Sequence, residues 1–316
     1  MMETSAAATE LSTMLSQLLD DAEIHGLRRL SGGASRETWR FEADGRPLIL
    51  QRQRAGDVRD MLIEAGVVRA AGRGGAPVPE LIDARRRDDG MAFMVLEAVE
   101  GETIARKILR DEDFATARPR LVADLGAALA RIHALDATAI AGLQHTDQLD
   151  YYTGVLDDLG QPHPVLEFGR NWLVDNRQEN GPTALVHGDF RLGNLIVGPD
   201  GLRAVIDREL AHLGDPMEDL GWLCVKAWRF GATPPVAGLG DYDELFAAYE
   251  SAGGAPVDAA VVHWWEVLGT WKWAIMCIVQ ASVHLSGAAR SHELAAIGRR
   301  VCENEHDLLS ALDGRW

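Results

Sequence analysis

The stretch that most constrains this chain runs from Leu185 to Leu223. Two apolar runs, Leu195-Ile-Val197 and Leu202-Arg-Ala-Val-Ile206, flank the tetrapeptide Gly198-Pro-Asp-Gly201. Apolar segments on either side of such a turn predict a β-hairpin. Asp189 and Asn194 precede its first strand and Asp207 follows its second. The hairpin therefore brings these oxygen-bearing side chains to one of its ends.

That constellation fits phosphoryl transfer. The reaction needs a group that orients an attacking hydroxyl and accepts its proton, and oxygen ligands for the Mg²⁺ that neutralises the developing charge. Asp189 fits the first role. Asn194 and Asp207 fit the second, since a hard cation takes carboxylate and amide oxygens.

With these residues in place the chain resembles a known family, the aminoglycoside phosphotransferase and choline kinase-like group. The resemblance rests on His187-Gly-Asp189-x4-Asn194, on Ile206-Asp207, and on Asp215-Pro216 followed by Asp219-Leu220. Within that group it looks most like the kinase domains associated with acyl-CoA dehydrogenases, over about residues 27–312. The resemblance implies an α+β, two-lobed, protein-kinase-like fold: a small antiparallel-sheet lobe over residues 1–98 and a mainly helical catalytic and acceptor-binding lobe over 99–316. It implies ATP and Mg²⁺ as cofactors and a hydroxyl on a small molecule as acceptor. Arg208, beside Asp207, departs from the aromatic residue usual there; neighbours on an extended chain face opposite ways, so it is expected to point away from Asp207.

By the same resemblance Gly32, Gly33 and Ser35 form the loop over the phosphates, and backbone groups near Glu97 and Val99 hold the adenine. The strand Pro47–Gln53 is to supply a phosphate-gripping cation paired with Glu64 on the next helix. Gln51 and Arg52 both fall near that slot and face opposite sides of the strand. Arg52 is chosen because a neutral Gln cannot neutralise phosphate. Arg191 is assigned to the transferred phosphate, with a plain surface Arg as the alternative. His187 and Asp219 are expected to hold the catalytic loop in shape. Trp228, Arg229, Trp265, Glu266 and Lys272 are candidates to line the acceptor pocket. The rival reading is a nucleotide-binding regulator without turnover, for which Gln51 and Arg208 speak.

Composition narrows the partners. The net charge is −17, which argues against nucleic acid or an anionic membrane, both of which want clustered Lys and Arg. The apolar run Trp273–Val279 is too short to span a bilayer. Three widely spaced cysteines, with no C-x-x-C pair, give no disulfide framework, and the N-terminus reads as carrying no signal peptide, so a cytoplasmic protein is expected. Oligomeric state is left open. Periodicity predicts an N-terminal helix packed on the first lobe, through Leu11, Leu15, Leu18 and their neighbours, and a core face of Trp264, Leu268, Trp271 and Ile275 near the other end. Residues 134–161 read as loop-like with short helical pieces.

Overall fold

A computed structural model describes residues 2–30, 36–54, 59–87, 89–178 and 181–314. Helix α1 (Met2–Leu18) precedes strands β1 (Ile24–Arg29), β2 (Arg36–Ala43) and β3 (Arg46–Gln53). Helix α2 (Met61–Arg73) leads to β4 (Leu81–Arg86) and β5 (Ala92–Glu97). The strands form one antiparallel sheet in the order β1-β2-β3-β5-β4. Side chains alternate between its faces. On one face Trp39, Phe41, Leu48 and Leu50 pack against Leu11 and Leu15 of α1. On the other, Met94 and Leu96 receive Met61, Ala65 and Val68 of α2. Each such buried apolar side chain contributes roughly 1.5–3 kcal/mol, so α1 is an integral cover of the sheet. The Asp60 carboxylate caps α2 by accepting from Leu62 N at 2.9 Å.

Past β5 the chain is mainly helical. Helices α3 (Ala105–Arg110), α4 (Arg118–His133), α5 (Gln148–Leu159) and α6 (Pro164–Asp175) come first. Strands β6 (Ala184–Val186), β7 (Leu195–Gly198), β8 (Gly201–Val205) and β9 (His212–Gly214) follow. Helices α7 (Met217–Cys224), α8 (Tyr242–Ser251), α9 (Ala259–Leu285), α10 (His292–Gly298) and α11 (Val301–Leu312) complete the chain. β7 and β8 are the hairpin, and β6 pairs with β9. Leu121, Leu125, Leu129 and Ile132 of α4 share a core with Phe190, Leu192 and Leu195. The apolar residues interleaved with Asp189 and Asn194 thus anchor that loop in the interior. Trp264, Leu268, Trp271 and Ile275 of α9 form a second core with Leu166, Leu173 and Leu308.

The stretch expected as loop with short helical pieces contains a longer helix, the 12-residue α5. Asp147 caps it by accepting from Asp150 N, Gly160 ends it in the left-handed conformation, and Leu149, Tyr152 and Leu156 form its buried face. The caps lie at spacings that loops also use, which hid it.

The linker from sheet to helices is tied to the hairpin. Glu102 N–H donates to Val197 O at 2.9 Å and Val197 N–H to Glu102 O at 3.0 Å. Gly101, at φ 153°, allows this approach, because a Cβ there would meet Val197 O at 2.8 Å. Among the described residues no helix is long and apolar enough to cross a membrane.

Candidate active site

The loop 187–194 joins β6 to β7. Gly188 has φ 80°, and a Cβ there would meet Leu210 O at 2.5 Å. His187 braces the loop from within. Its Nε2–H donates to Ile206 O at 3.1 Å, and its Nδ1 accepts from Asp189 N at 3.2 Å. The acceptor role of Nδ1 needs the neutral ring, and burial, aided by the Arg208 charge, holds the His187 pKa down to about 4. Asp219 on α7 is fully buried. It accepts from His187 N at 2.7 Å, Gly188 N at 2.9 Å and His133 Nε2 at 3.0 Å. Despite burial, these donors hold its pKa below the usual carboxylate value.

Asp189 faces a ring of donors. Its Oδ1 accepts from Trp222 Nε1 at 2.9 Å and Arg191 Nε at 3.0 Å. Its Oδ2 accepts from Asn194 Nδ2 at 2.7 Å and Arg191 Nε at 3.2 Å. Asn194 Nδ2 also donates to Asp189 O at 2.9 Å. With its amide nitrogen committed to Asp189, Asn194 leaves its carbonyl oxygen as an acceptor. Asp207 adopts φ 61°, unusual for a residue with a side chain. Among the described residues none donates a hydrogen bond to its carboxylate. Removal from water, then the charges of Glu209, Glu64 and Asp189, push its pKa up to about 7. An oxygen ligand in an anionic setting, without a donor of its own, suits a hard cation such as Mg²⁺. No group of three His, Cys, Asp or Glu among the described residues could hold a metal by itself. A cation here would draw its remaining oxygens from a ligand or from water.

Beside Asp207 lies a cleft of about 250 Å³. Ile49, Val68, Met94, Leu96 and Ile196 supply apolar walls; Gln51, Glu64, Glu97 and Val99 also border it. The register of β3 decides an open choice. Gln51 pairs with Thr38 and faces this cleft, with its Oε1 buried and unpartnered. Arg52 lies on the other face, where its Nη2 donates to Glu37 at 3.0 Å. The expectation for Arg52 is thus corrected. Leu48 and Leu50 belong to the core under α1, so Arg52 must point that way too. The predicted partner of Glu64 is corrected with it: Glu64 pairs with Arg36 of β2. Gly32, Gly33 and Ser35 lie outside the described residues. Arg208 is buried; its guanidinium turns from Asp207 to donate to Val205 O at 2.8 Å, and its N–H donates to Glu64 at 3.2 Å.

Residues 26–259 match the phosphotransferase enzyme family. The chain belongs to that family. It is 27% identical over 233 residues to mouse acyl-CoA dehydrogenase family member 10, covering 69% of this chain but only 22% of that protein. A protein of Ralstonia eutropha, described as a candidate aminoglycoside phosphotransferase, superposes with a TM-score of 0.72 at 21% identity, over 92% of each chain. A spectinomycin phosphotransferase, solved with ADP and spectinomycin, gives 0.65 at 13% identity over 95% of this chain and 98% of its own. The fold is the two-part, protein-kinase-like one expected.

In this phosphotransferase-family chain three of the expected acceptor-lining residues turn inward. Glu266 is almost fully buried, accepting from Arg229 Nη2 at 2.8 Å and from the Tyr242 hydroxyl at 2.8 Å. Arg229 also donates to Cys224 O at 3.0 Å. Lys272 is equally buried, donating to Gln148 Oε1 at 2.9 Å and lying 3.3 Å from Glu218 and 3.5 Å from Gly188 O. These charges are committed within the helical core, which corrects their assignment to a pocket surface. Helix α9 is buried on most of its circumference, so spacing could not separate core from cleft. Trp265 is half-buried and hydrogen-bonds Asp215. Trp228 lies beside the catalytic-loop candidate Arg191, whose guanidinium is 5.0 Å from its ring. It packs with Trp222 at 5.2 Å and Trp273 at 4.8 Å between centroids. Trp222 escaped the sequence reading. The available signal was its place three residues after Asp219, on one face of one helix.

Proposed function

We propose that this chain transfers the γ-phosphoryl group of ATP to a hydroxyl of a small molecule, with Mg²⁺. Residues 1–98 would act as the nucleotide-binding lobe and 99–316 as the catalytic and acceptor-binding lobe. The observation that carries this is the convergence of Asp189, Asn194 and Asp207 beside an apolar-walled cleft. ADP in the spectinomycin phosphotransferase supports the nucleotide.

The roles follow from the donors. Asp189 orients the acceptor hydroxyl and takes its proton. Trp222 and Asn194 hold its carboxylate in place. Arg191 occupies the remaining lone pairs, so an incoming hydroxyl takes its place and frees the guanidinium for the transferring phosphate. Asp207 and the Asn194 carbonyl oxygen would hold Mg²⁺, which would neutralise charge on the phosphates. The apolar walls and the backbone near Glu97 and Val99 would seat the adenine. Positioning and charge neutralisation supply most of the rate.

The acceptor is tested directly by ADP release with Mg·ATP across aminoglycosides, 4-hydroxyacyl-CoAs, choline and simple sugars. One acceptor should raise release, and Asp189→Asn should lower that turnover by roughly 10² to 10⁴-fold. Turnover retained in Asp189→Asn would refute the base assignment.

A further inference from the structure

Strand β3 brings no cation to the cleft, since Gln51 faces it and Arg52 faces away. A triphosphate there would meet Asp207, Glu64, Glu209 and Asp189, whose charges already act on one another. Something on this side must offset that repulsion.

Arg28 and Arg40 border the cleft toward the linker, and Arg40 is paired with Glu100 there. Arg36 lies beyond the other end, on the neighbouring cavity that also borders Glu64 and Arg208. It opens β2 on the face it shares with Thr38 and Arg40, since residues two apart on a strand point the same way. Thr38 sits directly across from Gln51 and both line the cleft. Arg36 is therefore one step beyond Gln51 along the same sheet face, away from the linker.

Its side chain is buried and ion-paired through Nη1 to Glu64 of α2. Glu64 in turn accepts from Arg208 N, next to Asp207. One chain of contacts thus joins β2, α2 and the segment carrying Asp207. The Arg36 charge is close enough to favour the ionised form of Asp207. Its Nε is buried and has no hydrogen-bond partner, an outlay that a purely structural ion pair has no reason to keep. A smaller cavity of about 180 Å³ borders Arg36, Glu64 and Arg208 and leaves the guanidinium room to turn.

We propose that Arg36 is the phosphate-neutralising cation of this chain: the charge expected on β3 has moved to β2, where Glu64 holds it. This rests on the nucleotide reading above. The relocation explains why Glu64 is kept buried, and why Gln51 is tolerated in the slot facing the cleft.

Calorimetric titration of Mg·ATP and of adenosine separates this role from a structural one. Arg36→Gln should weaken Mg·ATP by roughly ten- to a hundredfold, the loss of charge-assisted contacts, and leave adenosine unchanged. Adding Gln51→Lys to Arg36→Gln should recover most of the ATP affinity, because Glu64 can then pair with a β3 cation. Should Arg36→Gln fold poorly, Arg36→Gln/Glu64→Gln removes both charges of the pair and allows the same comparison of ligands. Equal loss for both ligands, or no loss of ATP affinity, overturns the proposal alone. Wild-type protein that binds adenosine and ATP equally weakly or not at all overturns the nucleotide reading itself.

Discussion

Trp222 Nε1 donates to Asp189 Oδ1 at 2.9 Å, so the group assigned as base is oriented by a helix outside its own loop. Trp222→Phe keeps most of the ring packing and removes only the donor. Turnover should fall by roughly tenfold or more, the worth of a hydrogen bond to a charged group, with Mg·ATP affinity unchanged. Steady-state kinetics beside calorimetry tests this; equal turnover in the two proteins would show that Asn194 alone fixes the carboxylate.

Asp207 should show opposite effects with and without ligand. Its folded pKa, about 7, lies above the ordinary carboxylate value. The folded chain therefore keeps a proton that the unfolded chain has released, and stability is lost as pH rises from about 4 to 7. Asp207→Asn removes this liability, so at pH 8 the ligand-free variant should melt above wild type. With Mg·ATP the order should reverse, because the variant lacks the metal ligand. Thermal melts with and without Mg·ATP check both signs; a variant less stable than wild type in both conditions contradicts the assignment.

His187 gives a pH dependence of the other kind. The unfolded chain takes up a proton near pH 6.5, whereas burial delays uptake in the folded chain to about 4. Stability is therefore lost as pH falls across that window. His187→Gln should be less stable than wild type at pH 7, and the gap should shrink toward pH 4. Urea titrations at several pH values measure the gap; a constant gap would mean that the ring is not held neutral.

The Arg229–Glu266 pair should matter for folding and not for the acceptor. Arg229→Met removes the guanidinium that donates to the buried Glu266 carboxylate and keeps the Tyr242 hydroxyl bond. Breaking a buried ion pair from one side costs roughly 3–5 kcal/mol. The double variant Arg229→Met/Glu266→Gln should recover part of that loss, and KM for the acceptor should match wild type. A raised acceptor KM in the double variant would return these residues to the acceptor pocket.

Much of the site was legible because it is local. The spacing from His187 to Asn194, the Gly-Pro-Asp-Gly turn and Asp207 after one more strand are set by a short hairpin that sequence specifies directly. What was not legible depends on distant partners. Whether Gln51 or Arg52 meets the cleft turns on a one-residue register, and α1 settles it by covering Leu48 and Leu50. Apolar residues on both faces, Ile49 among them, erased the alternation that would have signalled it. Arg36 follows the sequence Ser31-Gly-Gly-Ala-Ser35, where a basic residue reads as surface; only α2, folded under the sheet, shows it paired to Glu64. The inward turn of Lys272 and Glu266 had a similar cause, since α9 is surrounded by other helices.

The exchange of backbone bonds between Glu102 and Val197 has a mechanical consequence. Val197 lies on the hairpin whose open end holds Asn194 and, across the strand pair, Asp207. The segment proposed to seat the base and the ligands proposed to hold the metal are thus fastened to one girder. A nucleotide seated as proposed would consequently be gauged by length: a tail that stops short of Asp207 would not be met halfway.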